Sequence, residues 1–133
     1  ATVHGPAARS WGQTESILSE NKPNRARLDL PALTSSRALP ATPFMEAHYF
    51  SNGCFMQPDQ LMREAGKLAG IPGIIVQGRY DLLCPPATSH ALGAAWREAE
   101  IRIVEGAGHT LYDPGVRDAV MKAIADMASR TSK

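Results

Sequence analysis

No stretch of this 133-residue sequence approaches the roughly 20 consecutive apolar residues that a membrane-spanning helix needs, so no membrane partner is expected. Strong charge of one sign is missing too. Fourteen Lys and Arg against thirteen Asp and Glu leave a formal net charge of +1, which gives no electrostatic reason to expect nucleic acid or anionic lipid. Ala1 to Arg9 has no basic region followed by an apolar stretch, so a secretory leader is not expected and a cytoplasmic protein is. Cysteine is scarce. Cys54 and Cys84 have no metal-ligand spacing around them and read as free thiols, and neither a metal nor another cofactor is expected. No internal repeat is visible. What is present, 44% hydrophobic and 20% charged residues, describes a soluble globular chain with a core.

The pattern divides near Pro58, with residues 1–57 expected to form one region and 58–133 another. In the first, Ala7 to Leu18 reads as a short helix. Glu20 to Pro43, rich in Asn, Pro, Arg and Ser, reads as loop with a brief helical turn. In the second the pattern becomes regular. Asp59 to Leu68 predicts a helix with Leu61, Ala65 and Leu68 on one face, stopped by Gly70 and Pro72. Gly73 to Gln77 is a continuous apolar run, as in a strand buried on both faces of a parallel sheet. Pro85 and Pro86 suit the first turn of a helix running to about Glu98, with Ala87, Ala91, Leu92 and Ala95 on its apolar side. Ile101 to Val104 alternates as a strand nearer the sheet edge. The last helix is predicted to start with Asp113 as N-cap and Pro114 in first position, with Val116, Val120, Ile124 and Met127 as its buried stripe. Helix–strand–helix–strand–helix is the closing half of a doubly wound α/β sheet.

Two loops follow those two strands. Gly78-Arg79-Tyr80-Asp81 comes after Ile74-Ile75-Val76, and Gly106-Ala107-Gly108-His109 comes after Ile101 to Val104. A carboxylate and an imidazole thereby stand just past the carboxyl ends of neighbouring parallel strands, where open α/β sheets build their sites. Asp before His, with one helix between, is the order in which the last two members of a catalytic triad arrive in α/β-hydrolases. In that chemistry His takes and returns the nucleophile's proton, while Asp fixes the imidazole tautomer and stabilises the imidazolium. Either residue alone would pass for an ordinary turn residue; both together, in this order, point to catalysis.

The third member, a Ser on a Gly-x-Ser-x-Gly elbow, is absent from these residues. Ser10-Trp11-Gly12 is a poor substitute. Arg9 stands where the tight strand-to-helix turn needs Gly, and no apolar strand precedes it. The length is also short, since one domain of this kind commonly runs to roughly 200–250 residues. Two parallel strands with three helices cover too little apolar area to offset the entropy of ordering them, and the inner edge of the first strand would present unpaired backbone groups. An amino-terminal half of the same hydrolase, or a second chain, is expected to cover that edge.

At this point the sequence resembles a family. Ile71-Pro72-Gly73-Ile74-Ile75-Val76-Gln77-Gly78-Arg79-Tyr80-Asp81 with Cys84, Ala94-Ala95-Trp96 and Val104-Glu105-Gly106-Ala107-Gly108-His109 are similar to the corresponding stretches of bacterial proline iminopeptidases, also called prolyl aminopeptidases. Glu46-Ala47-His48-Tyr49-Phe50 resembles that family's Glu-Asn-His-Tyr-Phe motif, and Asp59-Gln60-Leu61 its Asp-Gln-Leu. The match is nearly continuous from Glu46 to Pro114 and weak before it. The resemblance implies the carboxyl-terminal part of an α/β-hydrolase, preceded over residues 1–57 by part of a helical cap. It implies Asp81 and His109 as triad acid and base, Glu46 as a cap carboxylate binding the substrate's free α-ammonium, and Phe50 as a wall for the proline ring. Trp11 and Glu15 match part of a Trp-Ser-x-Trp-Glu cap segment, which makes Glu15 a second amine-binding candidate. The implied substrate is a peptide with a free amino-terminal proline. Residues 20–43 match nothing alignable.

Two other readings remain. An esterase of the same fold would use Asp81 and His109 but has no need of two carboxylates facing its pocket. A nonenzymatic remnant or partner-binding module would also fit, because without a nucleophile no acyl intermediate forms.

Overall fold

The computed structural model describes residues 3–22 and 41–131. The expected loop and brief helical turn between Glu20 and Pro43 therefore lie mostly outside the described residues. The chain forms two compact units. The described residues 3–17, 22 and 41–58 make up the first, and 18–21 with 59–131 the second.

In the first unit, α1 runs His4–Leu18 and α2 runs Thr42–Ser51. α1 begins before the expected Ala7 because Pro6 falls in its first turn, where a missing N–H costs no hydrogen bond. Pro43 occupies the equivalent place in α2. Gly12 of α1 faces Pro43, whose Cγ would lie 3.8 Å from a Cβ there, and Ala8 is buried. After α2 the chain makes a left-handed turn at Gly53, Cys54 and Phe55, all with positive φ.

The second unit holds β1 (Gly73–Gly78) and β2 (Ala99–Val104), paired in parallel with Gly73 opposite Ala99 and Gly78 opposite Val104. Helices α3 (Gln60–Arg63), α4 (Pro86–Ala95) and α5 (Val116–Thr131) flank them. This is the α/β arrangement of parallel strands and helices expected for a portion of an α/β-hydrolase. Among the described residues no helix is long and apolar enough to cross a membrane. Cys54 and Cys84 are free thiols.

The structure corrects several sequence expectations. The helix expected over Asp59–Leu68 starts only at Gln60, because Asp59 takes a left-handed backbone, and Glu64 leaves the helical conformation (φ −97°, ψ 1°), so it splits into α3 and a 3₁₀ turn at Ala65–Leu68. Ala65 is buried, but Leu61 is 66% exposed and does not share its face. α4 stops at Ala95 rather than near Glu98. Trp96 turns out of the helix and donates its indole N–H to Ile71 O at 2.8 Å. Its ring then lies against Gly73, where a Cβ would come within 2.1 Å of it. Of the predicted apolar side of α4, Leu92 is half-buried while Ala87, Ala91 and Ala95 are exposed. Asp113 does not cap α5, which starts at Val116; its carboxylate is drawn to other backbone groups instead. Ile124 is 58% exposed, and Ala123 joins Val116 on the buried side of α5. Ile74, Ile75 and Val76 are only half-buried, so β1 is not covered on both faces by the described residues.

α5 is tied to β2 by charge as well as by packing. Glu100 accepts from Arg102 Nε and Arg130 Nη2, each at 2.7 Å, and Arg102 reaches Asp126 at 2.8 Å. The bonds from Arg102 and Arg130 hold the Glu100 carboxyl down at about 2, against an ordinary 4.5. A depressed folded value means that the contribution is whole above the unfolded value and fades as pH falls through the folded one. Glu100→Gln is thus expected to lower Tm near neutrality, with the gap to the parent closing between about pH 5 and pH 2. The group is exposed, so added salt shrinks the gap as well. A gap independent of pH in thermal melts would show that the Glu100 charge is not what ties α5 down.

Candidate active site

Parallel pairing puts the ends of β1 and β2 side by side, and the two loops beyond them are joined backbone to backbone. Arg79 N–H donates to Val104 O at 3.1 Å and Tyr80 N–H to Ala107 O at 2.8 Å. Such an approach leaves no room for a side chain at Gly78, where a Cβ would lie 1.9 Å from Gly108 O. Gly106, with φ +72°, supplies the turn that brings the second loop back over the first. The Arg79 guanidinium grips Glu105 with bonds of 2.6–3.2 Å, a forked ion pair that fastens the loops from their exposed side. That pairing pushes Glu105 below and Arg79 above their ordinary values.

The result is a direct contact between the two residues singled out in the sequence. His109 Nδ1 lies 2.9 Å from Asp81 Oδ2. Asp81 is buried and its remaining lone pairs are occupied: Oδ1 accepts the N–H groups of Leu83 at 3.0 Å and Cys84 at 2.8 Å. A carboxylate so held is an acceptor only, so Nδ1 is the nitrogen that donates to it and Nε2 is the one left for proton transfer. The imidazole is 44% exposed while its partner carboxylate is 6% exposed, an asymmetry that suits a buried orienter and an accessible base. Beside Asp81 opens a cleft of about 500 Å³ lined by Tyr80, Leu82, Pro85 and Pro86 together with Glu20, Asn21 and Arg79.

Gln77 is a site residue that sequence reasoning passed over. It is buried, and its Nε2 donates to Cys84 O at 3.1 Å and Gly78 O at 3.0 Å while lying 3.4 Å from Asp81 Oδ2. Ser89 Oγ of α4 donates to Gln77 Oε1, so the carboxylate loop is braced from both strand and helix. The one signal in the sequence was an amide closing an otherwise apolar run. Cys84, beside Asp81, is poorly placed electrostatically to act as a nucleophile. Partial burial first, and then the nearby Asp81 charge, push its thiol above its ordinary value and deplete the thiolate. Ser10 lies within α1 with helix on both sides, not at a strand-to-helix turn.

Glu15, Glu46 and Phe50 belong to the first unit and are described there by themselves. Glu15 on α1 is half-buried and lines a cleft of about 550 Å³ with Ala7, Ser10, Trp11 and Thr14. Glu46 on α2 is half-buried, and its Oε2 is shielded from solvent with no hydrogen-bond partner among the described residues. Phe50 is 57% exposed and stacks on Trp11, ring centroids 6.0 Å apart and planes at 30°. A separate apolar cavity of about 280 Å³ between α1 and α2 is lined by Trp11, Phe44, Pro43, Ala47, Ala7, Ala8 and His4, without Phe50. Among the described residues no group of three or more His, Cys, Asp or Glu could hold a metal ion.

No family model matches the chain. Individual relatives do. The chain is 40% identical over 122 residues to the proline iminopeptidase of Neisseria meningitidis serogroup A, an overlap covering 91% of this chain and 37% of that protein. It is 46% identical over 80 residues to the proline iminopeptidase of Xylella fastidiosa, covering 59% of this chain and 26% of the relative. To the proline iminopeptidase of Arabidopsis thaliana it is 37% identical over 116 residues, 83% of this chain and 29% of the relative. The matched stretch thus spans between 26% and 38% of the length of the curated relatives it matches.

Proposed function

From the premise that this chain is a relative of the proline iminopeptidases and forms part of an α/β-hydrolase fold, we propose that it carries the general base and its orienting acid of a serine-type aminopeptidase releasing amino-terminal proline. The observation that carries this reading is the 2.9 Å contact between His109 Nδ1 and the buried Asp81 carboxylate at the mouths of two parallel strands.

In the proposed reaction His109 Nε2 takes the proton of a serine hydroxyl as that oxygen attacks the prolyl carbonyl. The proton then passes to the departing amine, and water releases proline from the acyl-enzyme with His109 acting again as base. Asp81 holds the ring and offsets the charge of the imidazolium. Glu46 is the proposed partner of the substrate's α-ammonium. A buried carboxylate oxygen without a partner is costly unless a cation or donor arrives, and an amino terminus is such a group. Glu15 is the second candidate for that role and Phe50, stacked on Trp11, the proposed apolar wall for the pyrrolidine ring. Because the 133 residues hold no Gly-x-Ser-x-Gly elbow, the nucleophile and the strands on the open edge of β1 are assigned to further polypeptide: the amino-terminal half of the hydrolase or a second chain.

The test is hydrolysis of proline amides by the pure 133-residue chain and by the full-length protein. The full-length protein is expected to release proline from free-amine substrates and to leave acetylated ones intact. The isolated chain is expected to show nothing above background. Turnover by the isolated chain that vanishes in Ser10→Ala would make Ser10 the nucleophile and overturn the proposal.

A further inference from the structure

The loop that carries His109 is held on its far side by groups the proposed chemistry does not use. Asp113 is buried, and its Oδ2 accepts the N–H of Gly108 at 2.5 Å and that of Asn21 at 3.1 Å. Ser19 O accepts the N–H groups of both His109 (2.8 Å) and Thr110 (3.0 Å). Asn21 closes the ring by donating its Nδ2 to Gly106 O at 2.8 Å. Gly108 is enclosed by this arrangement, since a Cβ there would lie 2.9 Å from Asp113 Oδ2 and 2.9 Å from Ser19 O. Every residue from Gly106 to Thr110 other than Ala107 is therefore bonded to Ser19, Asn21 or Asp113, while Ala107 is bonded to the Asp81 loop through Tyr80 N–H.

We propose that Asp113 and Asn21 are positioning residues for His109, fixing the height and angle at which its imidazole meets Asp81. The proposal rests on the reading of His109 as general base. A carboxylate bonded to backbone N–H groups gives short, strong, directional bonds. Here one oxygen joins two segments far apart in sequence at the residue next to the imidazole. Gly106 and Gly108 supply a loop with little intrinsic stiffness, so the ring's position depends on what binds the backbone. The alternative, that Asp113 merely starts the last helix, fits poorly: α5 begins at Val116, and Val116 N–H bonds to the Asp113 backbone carbonyl, not to its side chain.

Asp113→Ala, Asp113→Asn and Asn21→Ala in the full-length protein test this. The readouts are kcat and KM on a proline anilide and the downfield NMR resonance of the His109 Nδ1 proton, which is identified by its loss in Asp81→Asn. Asp113→Ala is expected to lower kcat on the order of 10²-fold, as about 1 Å of misplacement does, with KM within about twofold. It should also broaden or abolish the Nδ1 resonance. Asp113→Asn, whose carbonyl oxygen accepts the same two N–H bonds, should keep most of both. Unchanged kcat and resonance in Asp113→Ala, or equal losses in the Ala and Asn variants, would overturn the proposal. If Asp113→Ala does not fold, Asn21→Ala decides, because it removes one exposed bond: normal kcat with an unchanged resonance overturns the idea, and a lowered kcat with a broadened resonance supports it. Should the wild type release no proline at all, the aminopeptidase reading fails, and the resonance alone still judges the clamp.

Discussion

Asp81→Asn in the full-length protein is expected to lower turnover of proline amides by about 10⁴-fold, the typical loss when a triad acid is replaced by its amide. The reason lies in the donor pattern around that side chain. Oδ1 already receives two backbone N–H groups, and Oδ2 receives His109 Nδ1 with Gln77 Nε2 nearby. An amide here must present its NH₂ either to those backbone donors or to the imidazole. The first choice sets donors against donors, and the second forces Nδ1 to accept, which moves the ring proton to Nε2 and removes the base. His109→Ala removes the base outright and should fall at least as far. Both losses should appear in kcat while KM changes little, because neither residue is assigned to substrate binding. Near-normal turnover in Asp81→Asn would remove Asp81 from the role of triad acid, whatever the contact distance.

Glu46→Gln should separate recognition from chemistry. If its shielded carboxylate meets the substrate's α-ammonium, removing the charge leaves one partner of a partly desolvated pair and costs roughly 2–5 kcal/mol. At 1.4 kcal/mol per tenfold, that is a loss of ~30-fold or more in kcat/KM on free-amine proline substrates. Hydrolysis of a simple uncharged ester should change little, since Asp81 and His109 are untouched. An equal loss on both substrates would make Glu46 a support for the fold or the triad. No loss on either would make it a surface charge and would remove the main reason to prefer an aminopeptidase over an esterase. Glu15→Gln, read in the same pair of assays, ranks the second candidate.

The parts of this fold that were legible in the sequence are those dictated by local chemistry. An apolar β-branched run with Gly at its end gives β1, and Pro at the start of a periodic stretch gives α4 its first turn. Asp81 and His109 could be paired in advance because parallel strands of similar length put their following loops side by side. The misreadings have a common cause. Leu61 and Ile124 were placed on buried faces by periodicity, but the break at Glu64 takes the first out of line with Ala65, and the smaller Ala123 takes the buried place on α5. Asp113 carried the features of a helix cap, but its carboxylate turns back to Gly108 N–H, and only the return of residues 19–21 to the His109 loop brings it the second partner, Asn21 N–H.

By itself, then, the sequence determined the order of elements, the two glycine-bearing loops and the Asp and His that they carry, since each follows from backbone propensities acting over a few residues. Only the tertiary structure decided what fixes those groups in space. Gln77 and Ser89 behind Asp81 join strand, loop and helix through side-chain bonds, and Ser19 and Asn21 reach the His109 loop and Asp113 from a segment remote in sequence. Such bonds form because buried N–H and C=O groups must find partners when the loops pack backbone against backbone, and which partners they find depends on the packed arrangement of the chain.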